Sequence, residues 1–164
     1  MNVVFLFTYH IYSCPPLHLK RFAIINSALV ALATLSAIMA GFFTFNKNAG
    51  MDSFPLIWVI LTILLFTLFL NIKDIKDVEG DKKFGIYTIP VLFGEQLGKK
   101  IIWLMMVSGL MVLPVVLDEP LFWAPSVLAS IASWFIIHKE PYNERNFFFL
   151  FLPYFLFFVW IYFL

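Results

Sequence analysis

Asp74, Asp77, Glu79 and Asp81 lie within eight residues, with Lys73, Lys76, Lys82 and Lys83 among them. They fall in the stretch Asn71–Gly94, the only strongly charged part of a chain that is otherwise mostly apolar. If one helix runs through it, Asp74, Asp77 and Asp81 are spaced i, i+3 and i+7 and share a face. Carboxylates stacked in this way repel, so a cation should compensate. Mg²⁺ is the natural candidate, a hard ion that takes oxygen ligands at about 2.0–2.1 Å and bridges carboxylates to phosphates. The flanking lysines supply point charges for phosphate oxygens. Charge alone fits equally well a solvated juxtamembrane loop in which Lys and Asp simply balance. Other chemistries find no support. The EF-hand frame is absent, as are a P-loop, a nucleophile elbow, HExxH and CxxC. His10, His18 and His138 are scattered and fit interfacial or packed positions. Lone Cys14 fits a small apolar filler.

The elements that must carry this cluster are membrane helices. Hydrophobic residues make up 62% of the 164, charged residues 13%, and the mean hydropathy is +0.93. Soluble domains run near 45–50% apolar and about 25% charged, so lipid is the solvent here. Five spans are expected, over about Phe22–Phe45, Phe54–Ile72, Ile101–Leu117, Leu121–His138 and Asn146–Leu164. Residues 1–12 are apolar but too short to span, and without a basic n-region or cleavage site they do not make a signal peptide. They suit the last turns of a partial helix. Small residues (Ala28, Ala31, Ala33, Ser36, Ala37, Ala40, Gly41) put the first span inside a bundle. Gly85, Pro90, Gly94 and Gly98 mark Gly85–Lys100 as a structured loop with room for a short helix. Gly94 and Gly98 have GxxxG spacing but sit among charges, which argues against a membrane-dimer motif. The last span holds eleven aromatics in eighteen residues, as a lipid-facing helix would. No repeat or linker divides the chain, so a single all-α transmembrane domain is expected over residues 1–164.

Alternation of the loops places Ser13–Arg21, Lys73–Lys100 and Lys139–Arg145 on one side. They carry ten of the eleven basic residues, and the other side has only Lys47. The positive-inside rule puts the acidic cluster at the cytoplasmic face and the C-terminus outside.

Two motifs resemble a known family. Lys73–Gly94, KDIKDVEGDKKFGIYTIPVLFG, resembles the second aspartate-rich motif of the UbiA-type intramembrane prenyltransferases, including its G-I-x-T-x-P-V-x-x-G tail. Within the family it is most similar to digeranylgeranylglyceryl phosphate synthases and homogentisate prenyltransferases. Tyr12–Arg21, YSCPPLHLKR, resembles the family's Y-S-x-P-P-x-x-L-K-R loop, which follows its fourth helix. The resemblance implies a nine-helix α bundle around a central cavity. It implies Mg²⁺ on acidic motifs, a polyprenyl diphosphate donor, and an aromatic or glycerol-phosphate-type acceptor in the bilayer. Carried over, the catalytic D-x-x-x-D pair falls on Asp77 and Asp81, with Asp74 as a third metal ligand. Tyr12 and Ser13 fall near the diphosphate, with Lys73 and Lys20 as further substrate-binding residues. The family's earlier N-x-x-x-D-x-x-x-D motif is absent from this sequence. The expectation is therefore an N-terminally incomplete fragment, helices five to nine plus a stub, unable to catalyse alone.

Rival readings differ in class. A non-catalytic membrane protein could use the acidic loop as a docking surface. A cation transporter needs carboxylates at mid-membrane depth, and no expected span holds one. A CDP-alcohol phosphotransferase needs a D-G-x-x-A-R pattern that is absent.

Overall fold

The computed structural model describes residues 22–163. Among the described residues seven α-helices follow one another: α1 (Ala23–Phe45), α2 (Leu56–Phe69), α3 (Val78–Phe84), α4 (Ile89–Phe93), α5 (Glu95–Val116), α6 (Trp123–His138) and α7 (Arg145–Phe163). Short 3₁₀ turns occupy Met51–Ser53, Leu70–Ile75 and Pro120–Phe122. Among the described residues no β-strand forms, and one isolated bridge joins Phe22 to Tyr87. The fold is all-α and of the membrane-spanning type. Among the described residues four segments, Ile24–Phe45, Leu56–Ile75, Glu95–Val116 and Pro120–His138, are long and apolar enough to cross a bilayer. The fifth expected span corresponds to the shorter apolar stretch Arg145–Ile161 within α7.

The chain divides into two compact units. The first runs to Asn71 and includes Glu79–Thr88; the second is Ile72–Val78 with Ile89 onward.

In the first unit α1 and α2 pack as a hairpin. Small and aliphatic side chains make the contact: Ala31, Leu35 and Leu61 are buried. Near the connecting loop Phe42 and Phe54 meet edge to face at 5.2 Å. At the opposite end the buried Ser27 hydroxyl donates to Asn71 Oδ1 at 3.2 Å. Asn71 Nδ2 donates to the Thr67 carbonyl at 2.7 Å. Phe22 and Tyr87 stack at the same end, with ring centroids 6.2 Å apart. The small-residue face of α1 is only partly used within this unit. Ala31 is fully buried, but Ala37 and Gly41 are exposed.

In the second unit α5 packs on α6, and α6 on α7. Ile102, Met106 and Leu110 recur every four residues on α5 and form a fully buried stripe. On α6, which packs on α5, the small residues Ser126, Ala129, Ser130 and Ser133 are buried. Small side chains let the helices approach closely. The hydroxyls find partners: Ser130 and Ser133 bond back to α6 carbonyls, and Ser126 bonds Tyr154 Oη of α7 at 2.8 Å. The Trp103 indole N–H donates to the Ser130 carbonyl at 3.0 Å. Phe122 is fully buried within a ring cluster that includes Tyr154, Phe157 and Phe158. Only part of the aromatic load of α7 is lipid-facing, therefore; Phe148, Phe149, Phe155 and Trp160 are exposed.

The third span begins earlier than expected, at Glu95 instead of Ile101. The reason is Lys99. Its side chain is buried and paired with Glu95 Oε1 at 2.8 Å and Glu140 Oε1 at 2.6 Å. Two carboxylates neutralise a charge that the sequence pattern places in a solvated loop. Gly98 explains the GxxxG spacing. A Cβ there would lie 2.6 Å from Pro90 Cα, so the glycine serves close packing of α4 on α5 within the chain.

Candidate functional site

The continuous helical face expected for Asp74, Asp77 and Asp81 does not form. The α-helix of the second span ends at Phe69 and tightens into the Leu70–Ile75 3₁₀ turn. Lys76 is in a turn, Asp77 has no helical assignment, and α3 starts afresh at Val78. Asp74 therefore rides on the 3₁₀ turn, Asp77 on the break, and Asp81 within α3. Their environments differ accordingly. Asp74 is buried, with 5% of its surface accessible. Asp77 is exposed, while Asp81 and Lys73 are half-buried. Tyr12, Ser13 and Lys20 lie outside the described residues.

The α3 segment holds its end by local means. Gly85 has φ +65°, the left-handed region that glycine enters at no steric cost. Ile86 N–H donates to the Asp81 carbonyl at 2.9 Å, and Gly85 N–H to the Lys82 carbonyl at 3.3 Å. This nested pair is a Schellman ending. It fixes the backbone at Asp81 and explains the glycine in the G-I-x-T tail.

The Asp74 segment is held from far along the chain. Tyr142, in the α6–α7 loop, donates its hydroxyl to the Ile72 carbonyl at 3.0 Å. Two residues further, Glu144 Oε1 accepts from Lys76 Nζ at 2.7 Å. Two residues before, Glu140 accepts from Lys99. Every second residue of this loop thus reaches the segments around the acidic stretch. Burial, with a further push from the Glu144 carboxylate, raises the Tyr142 phenol well above the usual tyrosine range. Tyr142 therefore stays protonated and donating through neutral pH. The hydrogen bond from Lys76 to Glu144 raises the Lys76 ammonium above its ordinary value. The sequence pattern singled out this loop only for its basic residues. The alternation E-P-Y-N-E, on the same side as the acidic cluster, was the available signal.

Among the described residues no three His, Cys, Asp or Glu side chains are placed to hold a metal ion by themselves. A Mg²⁺ ion needs no such set, because it takes one or two carboxylates and fills its shell with water and substrate phosphate oxygens. A separate groove of about 350 Å³ runs between α6 and α7, lined by residues such as Pro125, Leu128, Ala132, Phe149 and Pro153. It contains no carboxylate, lysine or histidine and offers no group for the chemistry considered above.

Residues 1–161 match the model of the UbiA prenyltransferase family. A digeranylgeranylglyceryl phosphate synthase of Methanopyrus kandleri is 28% identical over 123 residues, 74% of this chain and 45% of the relative. A homogentisate phytyltransferase of Synechocystis is 36% identical over 91 residues, 52% of this chain and 29% of the relative. A second digeranylgeranylglyceryl phosphate synthase, from Methanocaldococcus jannaschii, is 30% identical over 119 residues, 72% and 37% of the two chains. The chain thus spans less than half the length of these relatives. No solved structure matches. With a family match over nearly its whole length, and with the acidic stretch and its tail in place, the chain belongs to the UbiA prenyltransferase family.

Proposed function

We propose that the acidic stretch binds the Mg²⁺–diphosphate head of a polyprenyl donor, for transfer of the prenyl group to an aromatic or glycerol-phosphate-type acceptor in the membrane. The observation that carries this is the family match over residues 1–161, which includes the D-x-x-D-x-x-G-D stretch from Asp74 to Asp81. The named activities of the relatives support both acceptor classes.

Asp74, Asp77 and Asp81 would hold the metal, and Asp77 and Asp81 form the D-x-x-x-D pair closest to the chemistry. Bound Mg²⁺ would offset the charge that develops on the leaving diphosphate. Lys73, with Lys20, would hold phosphate oxygens as point charges, and Tyr12 and Ser13 would orient the head group. Exposure of Asp77 suits a residue that must meet a ligand arriving from water. The excess of Lys and Arg on these loops supports a cytoplasmic site and an external C-terminus. We further propose that these residues are one part of a two-part acidic site, completed by a second aspartate motif that the 164 residues do not contain.

A transfer assay tests this. Membranes carrying the chain, alone or with a segment bearing N-x-x-x-D-x-x-x-D, are given prenyl diphosphates and both acceptor classes. Mg²⁺-dependent product is expected only with the second segment, and is lost in Asp77→Ala and Asp81→Ala. Full turnover by the chain alone contradicts the two-part site. Diphosphate binding that survives both substitutions contradicts the catalytic reading and favours a docking surface.

A further inference from the structure

We propose that Tyr142 is a positioning residue: its hydroxyl bond to the Ile72 carbonyl fixes the turn that presents Asp74. This rests on the diphosphate-site reading above. Tyr142 is not placed to touch the diphosphate in that reading and acts through the backbone.

Three observations carry it. Asp74 sits two residues beyond Ile72 on a 3₁₀ turn, a form with poorer hydrogen-bond geometry than the α-helix it follows. Such a turn is tied at its start by Asn71 Nδ2 to the Thr67 carbonyl, and one residue before the break at Lys76–Asp77 it gains from a further tie. The Tyr142 hydroxyl meets it at 3.0 Å from 70 residues away, so the bond is tertiary. The loop that carries Tyr142 is itself pinned on both flanks, by Glu140 to the buried Lys99 and by Glu144 to Lys76. The phenol is therefore delivered by an anchored loop, and Lys99 in turn fixes that loop to the first turns of α5. A carboxylate that must meet a cation within a few tenths of an ångström gains from such a support.

The test uses Tyr142→Phe, which keeps the ring and removes only the hydroxyl, in the full chain reconstituted in nanodiscs. Hydrogen–deuterium exchange is read first, without ligand. The variant should exchange about fivefold to tenfold faster over residues 72–77, the worth of one hydrogen bond, while α1 and α6 stay unchanged. Unchanged exchange at 72–77 overturns the proposal. Binding of a non-hydrolysable prenyl diphosphate analogue is then titrated with Mg²⁺. The Mg²⁺ midpoint should rise about fivefold to tenfold, with the full binding amplitude restored at saturating Mg²⁺. A loss of amplitude at an unchanged midpoint marks a merely structural role and also overturns it. Glu144→Gln, which loosens the loop and leaves the phenol, should move both readouts in the same direction by less; no movement beside a large Tyr142→Phe effect leaves the hydroxyl as the anchor. A wild-type chain that binds no analogue at any Mg²⁺ concentration, alone or with the segment bearing N-x-x-x-D-x-x-x-D, refutes the diphosphate site instead, and the exchange result alone then decides whether Tyr142 holds the turn.

Discussion

From Val78 to Gly85 the acidic stretch holds its own shape, whereas from Ile72 to Lys76 it is held by residues 68 and 70 positions away. The first case is short-range physics. Glu79 and Asp81 lie in the first turn of α3 and Lys82 and Lys83 in its last, the arrangement a helix dipole favours. Gly85 then closes the helix in the left-handed conformation. The second case has a local tie at its start, where Asn71 Nδ2 donates to the Thr67 carbonyl, and distant ties beyond it. The 3₁₀ turn with the buried Asp74 receives the Tyr142 hydroxyl at Ile72, and Glu144 pairs with Lys76 just beyond it, both from another loop. Two stretches of similar composition, side by side in sequence, therefore respond to different perturbations.

The largest expected effect tests the function of the distantly held half. Asp74→Asn should weaken Mg²⁺-dependent binding of a prenyl diphosphate analogue by on the order of 100-fold, the upper end of what losing a supporting group at a metal site costs. An unchanged Kd would make the buried aspartate a packing residue. Next comes the packing that seats α5 and, through Lys99, the loop. Gly98→Ala places a Cβ 2.6 Å from the Pro90 backbone and should cost about 1–3 kcal/mol in thermal unfolding in detergent. Gly41→Ala, with nothing within 4 Å, is the control and should be neutral or stabilising. The locally held half is probed by Gly85→Ala. Forcing a Cβ into φ +65° should cost about 1–2 kcal/mol. Its added exchange should be confined to α3 and should leave residues 72–76 protected.

Smaller still is the pH response. The raised Tyr142 phenol stays protonated in the folded protein while the unfolded chain ionises near its ordinary value of 10.0. The unfolded state then binds fewer protons, so stability is complete below that value and falls as pH rises above it. Thermal midpoints from neutral pH to about pH 11 should show this fall, and Tyr142→Phe should flatten it. Least of all is Glu144→Gln. Its partner Lys76 is exposed, so any loss of stability should be slight and should disappear in high salt.

How much was legible follows the same division. Four of the five expected spans were plain in the sequence, because apolar length is a property of each segment alone. Gly85 and Gly94 were read as punctuation, and both have positive φ. Three features needed tertiary structure. The helix break at Lys76–Asp77 has no proline or glycine to announce it. Lys99 looks like a loop lysine until two glutamates neutralise it, one of them 41 residues away. Tyr142 carries no local mark of its bond to Ile72. Each depends on a partner whose distance along the chain exceeds any window in which a pattern can be seen.

The central claim is that the acidic stretch recognises a prenyl diphosphate through Mg²⁺. The most direct measurement is equilibrium binding of a prenyl diphosphate analogue to the reconstituted chain, with and without Mg²⁺, in wild type and in Asp77→Asn. The expected result is saturable binding that requires Mg²⁺ and is lost in Asp77→Asn. Binding that is equally tight without Mg²⁺, or unaffected by the substitution, would contradict it.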